Sequence, residues 1–332
     1  MTRAALALIA FCSFLLLGPE VVHADAAGPT DYTTEIVAIS PATDVIDVEI
    51  LGGDAFVGLT VEPGHEVIVL GYAPDAEPYL RFRADGVVEQ NIYSYATYYN
   101  DTRYGTSDIP DVVDVDAEPA WEQVADGGTY AWHDHRAHWM SDEPLLGLEP
   151  GDALPVADIP LVVDGVPTTV TVETTLQPAP SRLPALVGGL LGAALGLVAL
   201  VVGRATATLV ALLLSVSALV AGLAQYTSLP ATTGPEAGWW LYPAVALLST
   251  VAVIVLYRRS PWAEIGLLTL AGVQLLIWAW PRRDHASAAY LPTSLPADAD
   301  RVISMMVLVG SVFVIAAAVN ALVTTARDAD AS

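Results

Sequence analysis

Lysine is missing from this 332-residue chain, and cysteine occurs once, as Cys12. All 13 basic residues are arginine, which reads as the bias of a high-GC genome, with adaptation to salt as the alternative. Cys12 lies in an apolar run near the start, preceded by Phe11 where a lipoprotein signal wants a small residue. It is expected to leave with a signal segment, so the remaining chain would have no thiol, hence no disulfide and no cysteine ligand or nucleophile. Charge is also scarce: 15 % of residues are charged, against about 25 % in soluble globular chains. A Walker loop, a dinucleotide glycine signature and a Gly-x-Ser-x-Gly elbow are all missing from the sequence. The expectation is therefore a protein that is not an enzyme.

What is present divides into two materials. Residues 27–180 hold 28 acids against 4 arginines, the whole of the net charge of −24, and the remainder is neutral and apolar. An acidic surface of this strength keeps a domain soluble and repels nucleic acid and anionic lipid headgroups. Nucleic acid is excluded as a partner on this ground.

Arg3 and the apolar stretch Ala4–Leu17, followed by small residues around Ala24 and Ala26, have the layout of a secretory signal, expected over residues 1–26. Residues 27–177 are expected to form an acidic extracytoplasmic domain. Ile46, Val48 and Ile50 alternate with Asp47 and Glu49, and Val57, Leu59 and Val61 repeat the period of two. Leu80 and Phe82 form another such face. Asp164-Gly165 joins two apolar runs, 159–163 and 166–176, as a hairpin turn would. About seven short strands between Gly, Pro and Asp turns point to an all-β sandwich of immunoglobulin-like type.

Pro178 to Arg182 reads as a stiff linker. Beyond it, residues 183–324 contain five runs, Leu183–Gly203, Ala205–Ala224, Trp239–Tyr257, Trp262–Trp280 and Val302–Val323, each long enough to cross a hydrocarbon core of about 30 Å. Tryptophan and tyrosine gather at their ends, as interfacial belts do. The expected fold is thus an all-β ectodomain on an all-α transmembrane bundle of about five helices, in the lipid bilayer of the cell membrane. With the acidic domain outside, Arg204 and Arg258-Arg259 fall inside, as does the tail 325–332. Arg282, Arg283 and Arg301 fall outside against the positive-inside rule. Gly188, Gly192 and Gly196, four apart, predict close helix packing.

The densest chemistry is Trp132-His133-Asp134-His135-Arg136-Ala137-His138-Trp139-Met140. Imidazole suits copper and zinc, and thioether suits reduced copper. His133, His135, His138 and Met140 are therefore the candidate metal ligands, for copper first and zinc second. In a strand His133 and His135 would share a face, and Asp134 would fix a ring tautomer from behind. The competing reading packs the aromatics into the sandwich and hydrogen-bonds His and Asp around Arg136. Two lesser features have bland readings beside the functional ones. Asp108, Asp111, Asp114, Asp116 and Glu118 lack the spacing of an EF-hand and read as a solvated loop. Tyr93, Tyr95, Tyr98, Tyr99 and Tyr104 read as packing before they read as a stacking surface.

Leu51-Gly52-Gly53-Asp54, the strand 66–72 leading into Glu77-Pro78-Tyr79-Leu80-Arg81-Phe82, and above all Trp132–Met140 resemble a group of actinobacterial membrane proteins with an exported N-terminal domain and several C-terminal helices. The resemblance covers most of the chain. It implies architecture and origin, and it brings no activity and no site assignment. The leading functional expectation is a membrane-anchored extracytoplasmic module that captures or hands off copper. The alternative is a metal-free scaffold that meets another envelope protein, and a transporter or membrane enzyme comes third.

Overall fold

The computed structural model describes residues 26–105, 108–141, 145–257 and 259–330, so the expected signal segment lies outside them except for Ala26. Among the described residues, ten strands form the N-terminal region: β1 (Tyr32–Ser40), β2 (Ile46–Leu51), β3 (Phe56–Val61), β4 (Val67–Leu70), β5 (Pro78–Phe82), β6 (Val88–Asn91), β7 (Trp121–Ala125), β8 (Thr129–Trp132), β9 (Ala157–Val163) and β10 (Val166–Leu176). A short helix α1 (Tyr95–Tyr99) follows β6. All the pairings are antiparallel, and the strands divide into sheets of seven (β1-β10-β9-β4-β5-β6-β7) and three (β2-β3-β8). The core between them is Val57, Leu59, Val67, Val69, Leu80, Phe82, Ile159, Leu161, Val170, Val172 and neighbours.

The alternating residues do what their period demands: Ile46 is buried, while Asp47 and Glu49 of the same strand are exposed. Asp164 (φ 48°) and Gly165 (φ 81°) both take positive φ, as a two-residue type I′ hairpin requires. Register then follows, with Val166 opposite Val163 and Val170 opposite Ile159.

Among the described residues, five helices are long and apolar enough to cross a membrane: α2 (Leu183–Val202), α3 (Arg204–Tyr226), α4 (Gly238–Val255), α5 (Pro261–Ala279) and α6 (Ala297–Asp330). The last is longer than its apolar run, because Asp298 and Asp300 in its first turn suit the positive end of the helix dipole. Gly203 alone joins α2 to α3. The glycine stripe lies against α6: a Cβ on Gly188 would collide with the Val302 carbonyl, one on Gly192 with that of Met306, and one on Gly196 with the Phe313 side chain. Both sets of numbers rise together, so α2 and α6 run parallel in contact. The absence of Cβ atoms at those three places is what allows the backbones to approach.

The β region is docked on one end of the bundle. Thr30 and Tyr290 exchange backbone hydrogen bonds of 3.1 and 2.8 Å, and the Asp31 carboxylate accepts one of 2.9 Å from the Ala289 amide. Gly53, at φ 87°, lies against the Tyr290 ring, where a Cβ would come within 2.6 Å. Ala27, Ala55, Phe56, Ala131 and Leu229 close an apolar patch across the same seam. The α2–α3 and α4–α5 connections and the end of α6 lie at the opposite end of the bundle from this seam.

Candidate functional site

The nine-residue run emerges from the end of β8 and turns back at once. β8 stops at Trp132, so His133 and His135 do not share the face of a strand. The cause is the pairing of Asp134 with Arg136. Asp134 is fully buried; Oδ1 accepts from Arg136 Nε (2.7 Å) and the Arg136 amide (3.1 Å). Its Oδ2 accepts from Arg136 Nη2 (2.8 Å) and Trp132 Nε1 (3.0 Å). Burial works against ionisation of Asp134, but the Arg136 guanidinium outweighs it and holds the carboxyl below the usual carboxylate range. Arg136 also donates to the carbonyls of Gly71 (3.0 Å) and Leu70 (3.3 Å) and lies 4.6 Å over the Tyr72 ring. The Ala137 carbonyl accepts from Thr34 of β1 and Thr174 of β10. The run is thereby tied to both sheets.

Each histidine then goes its own way. His133, 2 % exposed, stacks on Phe56 with centroids 4.2 Å apart, and its Nδ1 donates to the Ala55 carbonyl at 2.6 Å. His135 meets Tyr99 edge-on at 4.4 Å, and its Nε2 donates to the Thr102 carbonyl at 2.9 Å. His138, 5 % exposed, donates from Nδ1 to the carbonyl of Trp139 at 3.1 Å. A carbonyl only accepts, so each of these nitrogens carries the ring proton. Asp134 was expected to fix a tautomer; backbone carbonyls do that work, because Arg136 and Trp132 already fill the carboxylate's acceptor sites.

His135 and His138 do come together. Their rings lie at 84° with centroids 5.2 Å apart. With the proton on the other nitrogen, His135 Nδ1 and His138 Nε2 each present a bare lone pair, and both are buried without a hydrogen-bond partner among the described residues. Burial lowers the His135 pKa. Burial, then the charge of Arg103, pushes that of His138 down to about 3. Both rings are thus neutral, the form that binds metal. Met140 is half-buried two residues on. Among the described residues no group of three or more His, Cys, Asp or Glu is placed to hold an ion, so the three imidazoles do not form one ligand set.

The surroundings of the pair were not foreseen. Arg103 pairs with the buried Asp54 at 2.6 Å and approaches Thr30, which joins the site to the seam with the bundle. Tyr99 was placed in a packing group, and it does pack, against Tyr72, Tyr95 and His135. The acidic residues Asp108, Asp111, Asp114, Asp116 and Glu118 are all exposed. A second polar cluster lies under the seam. Arg282 donates to Asp300 (2.6 Å), to Ser304 (3.0 Å) and to Gln225, and His285 Nδ1 lies 2.7 Å from Asp300. Arg301 donates to the Ala288 carbonyl (2.8 Å) and so fastens the loop that carries Tyr290. Nothing in sequence spacing brings Gln225, Arg282 and Asp300 together; helix packing does.

Comparison of the chain with family models, with curated proteins and with solved structures finds no match. The functional reading therefore rests on this geometry alone.

Proposed function

We propose that the protein is a membrane-anchored extracytoplasmic module that captures a transition metal, copper before zinc, through His135 and His138. One observation carries the reading: two adjacent imidazoles, His138 buried and His135 half-buried, each with its proton committed to a backbone carbonyl, present buried bare nitrogens without a partner among the described residues. A metal-ligating histidine typically donates its other N–H in this way, which fixes the ring and raises its basicity. A buried acceptor left unpaired costs about 1–3 kcal/mol, and an ion on both nitrogens would recover that. His133 and Met140 have no part in this pair, and the reading does not need them. In this orientation the β region faces outward, Arg204 and Arg259 lie at the cytoplasmic end of the bundle, and the C-terminal tail is cytoplasmic. Of the arginines on the outer side, Arg282 and Arg301 are taken up by Asp300 and Asp298, which weakens their claim on topology. A reporter fused after Asp330 should therefore report from the cytoplasm.

The test is titration of the full-length protein in detergent with copper and zinc, beside His135→Asn and His138→Asn. Binding at one site, lost in either variant, supports the reading. Binding no tighter than in the variants removes it. The second reading, a metal-free envelope interaction module, is favoured by the structural use of Asp134, Arg136 and His133, which occupies much of the run. It predicts the negative outcome, together with a neighbouring envelope protein crosslinked to the β region in intact membranes.

A further inference from the structure

The same pair carries a narrower conclusion about the charge of its ion, one that rests on the metal reading. His135 Nδ1 and His138 Nε2 are neutral donors, so they bring no negative charge to offset a cation. The nearby acids are already matched: Asp134 by Arg136 at 2.7 Å, and Asp54 by Arg103 at 2.6 Å. The positive field of Arg103 reaches both rings, and at His135 the negative field of Asp134 stands against those of Arg136 and Arg103. Among the described residues, an ion at the pair therefore adds its charge where no unpaired carboxylate stands beside the two rings. The Born cost of burial rises with the square of the charge, so a divalent ion pays about four times what a monovalent one does.

Coordination number points the same way. Structural zinc is almost always four-coordinate, and copper(II) takes tetragonal N,O sets. A monovalent d¹⁰ ion is satisfied by as few as two nitrogens. Rings 5.2 Å apart are close enough for one ion to reach both nitrogens through bonds of about 2.0 Å, at a bent angle and not in line. We infer that the His135–His138 pair takes a soft monovalent cation, copper(I) or its analogue silver(I), in preference to zinc or copper(II).

The experiment uses the full-length protein in chloride-free detergent. Silver(I), copper(I) under reductant, zinc and copper(II) are each titrated against a competing chelator. The monovalent ions should bind one site at least about tenfold more tightly, since a neighbouring like charge moves a pKa by a unit or more for each charge added. Silver(I) should also shift the ¹⁵N resonances of His135 Nδ1 and His138 Nε2 in the wild-type protein, a readout that needs no variant to fold. His135→Asn and His138→Asn should abolish binding, with amide exchange in β3 and β8 checking that the variants keep their fold. Zinc or copper(II) bound to the same two rings as tightly as silver(I) would overturn the preference and leave the metal site standing. No metal at either ring, in titration and in ¹⁵N shifts alike, would overturn both.

Discussion

Asp134→Asn isolates the ion pair that shapes the site. Asp134 is fully buried and Arg136 nearly so, and four hydrogen bonds of 2.7 to 3.1 Å end on the carboxylate. The amide keeps the size and one acceptor but removes the charge, leaving the Arg136 guanidinium inside without a counterion. Breaking one side of a buried pair costs about 3–5 kcal/mol, most of it the stranded charge. The two carbonyls that Arg136 also reaches, Gly71 and Leu70, soften the loss, so about 3 kcal/mol is expected. Native-state hydrogen exchange of the full-length protein reads this locally, which avoids treating a two-region protein as a single transition. Amides of β8 and of residues 133–138 should exchange roughly a hundredfold faster, and those of α2 and α6 should not change. Asp134→Leu with Arg136→Met should cost less than Asp134→Asn alone, because nothing charged is then stranded. If Asp134→Asn changes exchange by less than about threefold, equivalent to about 0.6 kcal/mol, the pair does not hold the run and the reasoning fails.

Three further predictions follow from other parts of the molecule. Gly192→Ala places a methyl against the α6 backbone and should destabilise the bundle by about 1–3 kcal/mol, while Gly189→Ala, whose methyl meets only the Val309 side chain at 3.9 Å, should be neutral; thermal unfolding in detergent compares the two. His138 and His135 are held below 6.5 in the folded state, His138 down to about 3, so between those values the unfolded chain binds more protons. Stability should therefore fall as pH is lowered from about 6.5 toward 3, and His138→Asn should flatten that slope; melting temperatures between pH 7 and 4 that run parallel for the two proteins would count against it. Asp31→Ala removes the acceptor of the Ala289 amide, costs about 1 kcal/mol, and should speed exchange at Ala289 and Tyr290 about fivefold.

Much of this protein was decided along the chain. The alternation at Ile46–Ile50, the Asp164-Gly165 turn, the five apolar runs and the confinement of the net charge to residues 27–180 are local patterns. Water and lipid act on them residue by residue, so strands, helices and the two materials could be read before any contact was known. The glycine stripe was legible for the same reason, since three positions four apart share one helix face whatever lies opposite. Its partner, α6, was not. The site required tertiary structure throughout. His135 and His138 meet, and His133 leaves, because Thr102, Ala55, Gly71 and Thr34 reach the run from 33, 78, 65 and 103 residues away. The sequence could supply imidazoles in a row, but those distant carbonyls determine where the His133 and His135 rings turn and which nitrogen of each keeps its proton, while His138 bonds the carbonyl of its neighbour Trp139.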